Sequence, residues 1–149
     1  MRLLLALLCA CWLSIQAAAY DKECVQTVYK EAEKYTEYPS TILAMAKAET
    51  SCRNVTGDDG ESHGVMQVQI PTLRWLATKE QSLRWVKHVP DKALKHILTH
   101  NRAFCVMVGC KLFEYHRKRH GYFGAISRYN GGTKNYTYYN KVQRILKEQ

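Results

Sequence analysis

Apolar residues recur along this chain at helical spacing, with almost no strand-like alternation. Val25, Val28, Tyr29 and Ala32 share one side of a helix predicted over 21–36. The "YPS" stretch ends it, because the residue before a proline avoids helical backbone and proline suits the opening of the next helix. With Ser40 as its cap, a second helix is expected over 41–50, where Ile42, Met45, Ala46 and Glu49 fall at i, i+3, i+4 and i+7. The next stretch, "NVTGDDGES", carries turn residues throughout and reads as a loop. Helices are then expected over 70–78, opening at Pro71, and over 93–100.

The longest apolar segment is "RAFCVMVGCKLFEYHRK", in which Phe104, Met107, Val108 and Leu112 give a central helix its buried face. A short helix ending in "RYNGGT" follows, and 138–147 closes the chain helically. One segment, "GVMQVQI", suits a strand of a very short β-hairpin. The expected class is mainly α: one helical domain over 20–149, with no repeat or linker inside it.

Residues 1–19, "MRLLLALLCACWLSIQAAA", are set apart from that domain. Arg2, the apolar run and the small residues Ala17 to Ala19 read as an export signal cut before Tyr20, or as a signal-anchor. The apolar run is short for a membrane span, so membrane contact would be transient. The expected location is the periplasm or the extracellular space. Behind the signal stand Cys24, Cys52, Cys105 and Cys110, which favour two disulfides in an oxidising compartment. Cys105 and Cys110 are badly spaced to meet on one helix. One of them is therefore expected to reach Cys24 and the other Cys52, in either pairing. A net charge of +9 suits an anionic polymer without choosing among wall, membrane surface and nucleic acid.

The residue that asks for chemistry is Glu49. A carboxylate at the fourth position of an apolar helix face loses hydration of its charged form, which raises its pKa toward that of a proton donor working near neutrality. Three blocks then set it in context: "AMAKAETSCR", "HGVMQVQIPT" and "AISRYNGG", in that order, with the apolar helix between the last two. They resemble the signature blocks of the soluble lytic transglycosylase-like family, whose lysozyme-like fold goose-type lysozymes share, and the resemblance covers about 35–133.

That resemblance implies peptidoglycan as substrate. Glu49 would be the catalytic acid and then the base, forming a 1,6-anhydromuramoyl product. Tyr129 would stand beside it. Thr50, Gly64, Met66, Gln67 and Asn130 would form the substrate-binding set, with Gly64 letting backbone approach the sugar, Gln67 offering donor and acceptor to acetamido groups, and Asn130 holding its loop. It also implies a monomer without cofactor or metal, and no nucleic-acid partner. Either a phage-encoded lysis enzyme or a bacterial wall-remodelling enzyme fits.

Several positions depart from the family pattern. Thr50 replaces serine, Cys52 an aromatic residue, and Arg128 the alanine before Tyr-Asn. Asp58 occupies a place where goose-type enzymes carry an acid thought to assist water, so hydrolysis with Asp58 as second carboxylate is the alternative chemistry. Gln69, where those enzymes have a further acid, weakens it. A glycan binder without catalysis is a third reading. The i, i+4 pairs His96/His100 and His116/His120 lack the glutamate of a zinc motif and read as solvated helix faces. Tyr136, Tyr138 and Tyr139 suit either a sugar groove or packing of the last helix.

Overall fold

A computed structural model describes residues 20–149; the signal or anchor segment, with Arg2, Cys9 and Cys11, lies outside the described residues. The domain is mainly α with a small three-stranded antiparallel sheet. Helix α1 (Lys22–Ala32) is capped by Asp21, whose side chain accepts the Glu23 N–H. Helix α2 (Pro39–Thr50) begins at its proline, so Ser40 lies inside the first turn instead of capping it. Its pattern suggested one greasy face, yet Thr41 to Ala46, Ala48 and Thr50 are all buried. Packing by α1 and by the last helix leaves α2 little contact with water.

The predicted loop folds into two of the three strands. β1 (Thr56–Gly57) pairs with β2 (Ser62–His63), and β2 pairs with β3 (Val68–Gln69), Ser62 opposite Gln69 and His63 opposite Val68. These strands are too short to announce themselves by periodicity. Helix α3 (Ile70–Ala77) follows, opening at Pro71 as expected, and leads to a 3-10 segment (Gln81–His88) that buries Leu83 and Val86. Arg74 fastens this corner, donating to the carbonyls of Val86 and Val89 and pairing with Asp91 in the first turn of α4 (Asp91–His100).

Helix α5 (Arg102–Tyr129) is the long central element, broken at Gly121, where φ of +72° suits glycine alone. Its first half buries Cys105, Val106, Val108, Gly109, Cys110, Leu112 and Phe113; α1, α4 and α6 (Tyr136–Lys147) pack around it. Tyr38, Phe113 and Tyr122 form an aromatic cluster that ties the start of α2 to both halves of α5, and the Thr41 and Tyr122 hydroxyls meet at 2.8 Å.

The disulfide expectation is corrected. Cys24 bonds to Cys52, across a Cα–Cα distance of 5.9 Å, while Cys105 and Cys110 are free and buried. The physical reason is the packing of α1 against α2. It brings the first turn of α1 to the second residue past the end of α2, and both cysteines of α5 are buried in the core. Burial pushes each of these thiols up to about 12, so neither is a ready nucleophile.

Candidate active site

Helix α2 ends at Glu49 and Thr50 because the chain turns left-handed there. Ser51 takes φ 55° and Cys52 φ 57°, and their N–H groups return to the carbonyls of Lys47 and Ala46. Among the described residues, every non-glycine residue with positive φ lies between Ser51 and Gln67: Ser51, Cys52, Asp58, Asp59 and Gln67. Such backbone costs energy and survives only where its surroundings enforce it. Here the disulfide, the sheet and the Gln67 side chain enforce it, the last donating to the carbonyls of Val55 and Gly64 at 3.1 and 3.0 Å.

An open cleft of about 560 Å³ lies beside this loop, within the usual range for small-molecule sites. Glu49, Asp58, Gln67, Tyr129 and Asn130 line it, drawn from the end of α2, the sheet loop and the end of α5. Glu49 is half-buried, and its Oε1 is out of solvent without a well-formed hydrogen bond. Burial raises its pKa above the ordinary carboxyl value. The Tyr138 hydroxyl, the Lys141 ammonium and the Asn130 amide pull it part of the way back, and Asp58 pushes it up slightly. Lys141 is fixed nearby, donating to the Ala48 carbonyl at 2.6 Å.

Tyr129 donates its hydroxyl to the Met66 carbonyl at 2.8 Å. Its pKa is raised well above 10 by burial and then by the neighbouring Glu49 charge, so it is neutral at any ordinary pH. Asn130 is held differently from the expectation: its side-chain oxygen accepts from the Asn135 amide at 3.1 Å, which leaves its own N–H groups toward Glu49. Asp58 accepts the Ser62 hydroxyl at 2.6 Å. Tyr138 is buried beside Glu49, while Tyr136 is exposed and Tyr139 packs on Phe123.

Three residues of the expected substrate-binding set stand away from the cleft. Gly64 faces α4: a Cβ there would lie 2.1 Å from the Leu98 carbonyl oxygen and 2.8 Å from the Cys105 sulfur, so close helix packing sets its identity. Met66 is fully buried beneath Gly109 and Tyr129. Thr50 is buried, with its hydroxyl 3.0 Å from the carbonyls of Ala46 and Val65 and accepting the Arg53 N–H. Gln67 does line the cleft, but both its amide hydrogens are committed to the loop and none remains for an acetamido group.

The chain matches no family model, no curated protein and no solved structure.

One wall of that cleft was not anticipated. Trp75 from α3, with His116 and Arg128 from α5, stands along it. Trp75 is 38% exposed, packed edge-on against Tyr115 and stacked on His116 with ring centroids 6.0 Å apart. His116 is therefore no solvated helix residue. Burial, helped by the nearby charges of His120, Arg128 and Arg119, lowers its pKa to about 4. His120, His96 and His100 are exposed as expected. Among the described residues, no group of three His, Cys, Asp or Glu side chains could hold a metal ion, and no helix is long and apolar enough to cross a membrane.

Proposed function

We propose that this chain is a peptidoglycan lytic transglycosylase, with a lysozyme-like catalytic domain over 20–149, that cleaves between N-acetylmuramic acid and N-acetylglucosamine. The observation that carries the reading is Glu49: a half-buried carboxyl with a raised pKa on the wall of a 560 Å³ cleft, beside Tyr129 and Asn130. A carboxyl protonated near neutrality is what departure of a glycosidic oxygen requires. Glu49 gives its proton to that oxygen and the C1–O bond breaks. The resulting carboxylate takes the proton of the muramoyl 6-hydroxyl as its oxygen closes onto C1. The proton lent is returned, no water is consumed, and one carboxyl serves both steps. Tyr138, Lys141 and Asn130 steady the carboxylate between the steps.

One observation favours a second chemistry. Asp58 lines the same cleft, so a water held between two carboxylates would give hydrolysis. Its carboxylate already accepts the Ser62 hydroxyl at 2.6 Å, which commits it in part to the loop and supports this second reading less than the first. Export fits either chemistry and is supported by the Cys24–Cys52 bond, since disulfides persist in oxidising compartments. No cofactor is needed.

The test is digestion of purified cell wall with mass analysis of the products. Anhydromuramoyl ends are expected from the wild type, with a loss of about 10²-fold or more in Glu49→Gln. Asp58→Asn is expected to keep at least a third of the activity. Reducing ends that vanish in Asp58→Asn would move the assignment to hydrolysis. Undiminished cutting by Glu49→Gln would remove Glu49 from the chemistry.

A further inference from the structure

We infer that the wall formed by Arg128, His116 and Trp75 is a subsite for a carboxylate carried on a sugar ring, with Arg128 as the anion-binding group. The inference rests on the peptidoglycan reading of the same cleft and adds to it which glycans the cleft selects. Arg128 sits where the family pattern has alanine, so the family blocks supply no role for it. Its side chain lines the cleft, and its Nε is out of solvent with no hydrogen-bond partner in the protein. Arg74, Lys34, Lys111 and Arg117 form the ion pairs found among the described residues, and Arg128 takes part in none of them. A guanidinium so placed keeps its planar fork of donors for a ligand, and that fork matches a carboxylate in two-point contact.

Its neighbours narrow the ligand further. The Nδ1 of His116 is also buried and unpartnered, and its ring is uncharged near neutrality, so it adds a hydrogen-bonding edge without a second charge. Trp75 presents its exposed indole to the same cleft. A broad apolar plate takes the C–H face of a pyranose. Plate, imidazole edge and guanidinium together describe a sugar with one apolar face and one acid. A neutral amino-sugar polymer would leave Arg128 unpaired. On peptidoglycan the acid has two sources: the lactyl group of a stem-free muramoyl unit, or a carboxylate of the peptide stem.

Titration calorimetry tests this with three probes: a stem-free tetrasaccharide of alternating N-acetylglucosamine and N-acetylmuramic acid, its stem-bearing form, and chitotetraose, which has no acid. The protein is the Glu49→Gln form, which stops turnover, alone and combined with Arg128→Ala, Arg128→Gln or Arg128→Lys, each confirmed folded by circular dichroism. At least one acid-bearing probe is expected to bind about tenfold or more tightly than chitotetraose. Arg128→Ala and Arg128→Gln should bring it down to the chitotetraose level, while chitotetraose itself changes less than about twofold. Arg128→Lys should keep part of the preference. Arg128 dependence with the stem-free probe assigns the lactyl acid; dependence with the stem-bearing probe alone assigns a stem acid. Equal binding of all three probes, or equal weakening of all three by the Arg128 changes, overturns the carboxylate subsite and leaves the glycan reading standing. Binding of none of the three overturns both.

Discussion

Glu49 shows how the end of one helix changes the proton affinity of an ordinary side chain. Its pKa is raised mainly by burial, and the chain bears a stability cost whenever that carboxyl is charged. The native state holds the Glu49 proton to higher pH than the unfolded state does. Stability therefore falls as pH rises from the unfolded carboxyl value of about 4.3 through the raised folded value. Glu49→Gln should melt higher than wild type at pH 7, and the gap should close as the pH is lowered below about 4. Thermal melts by circular dichroism at stepped pH check this; a variant that melts lower at every pH would mean the carboxylate is stabilised in the fold. The pattern at Ile42, Met45, Ala46 and Glu49 made the burial legible, because helical spacing alone puts Glu49 with its apolar companions. Trp75, His116 and Arg128 gave no such signal. They are spread over more than fifty positions and meet only when α3 packs on α5, so the spacing that singled out Glu49 could not link them.

The helical elements follow the hydrophobic spacing to within a few residues, whereas the segment between α2 and α3 does not. Its turn residues promised no α-helix, and the segment holds only a 3-10 turn at Asp58–Gly60, but two-residue strands leave too little sequence for alternation to register. Strand pairing there depends on a close approach to α4, and Gly64 permits it. With φ of +73° and the Leu98 carbonyl in the place of a Cβ, Gly64→Ala should destabilise the protein by more than about 2 kcal/mol. Urea denaturation measures it. A cost below about 0.5 kcal/mol would show that the sheet and α4 separate easily. The cysteines were legible in number but not in partner. Cys24 and Cys52 meet because two successive helices fold back on each other, which is a property of the pair of elements and of neither sequence alone.

At the scale of the whole molecule, two histidines contribute to the response to acid above the carboxylate range. His63 is buried with both ring nitrogens unpartnered, and His116 lies on the cleft wall; burial lowers the pKa of both. Each is neutral in the fold and protonates more readily when unfolded. The stability they contribute is present above the unfolded histidine value of about 6.5 and is lost as pH falls toward the folded values, about 4 for His116. In the Glu49→Gln background, which removes the opposing carboxyl, Tm should fall between pH 6.5 and 4. Replacing His63 by Leu, close to it in volume, should flatten that fall. An unchanged slope would place the acid sensitivity elsewhere. The overall charge of +9 fixes none of this, since several cations of α5 are already engaged: Lys111 with Glu80, Arg117 with Glu114 and Arg119 over the Tyr115 ring.

The covalent link at the end of α2 has a consequence for timing. Cys52 follows Glu49 by a single short turn, and its bond to Cys24, 28 positions earlier, ties the end of the helix that carries Glu49. Thiols kept reduced cannot supply that clamp. Wherever the chain meets a reducing interior, the last turn of α2 is tethered by non-covalent contacts alone. Under the proposed function, Glu49 is fully braced only once that bond has formed, so oxidation would precede full activity.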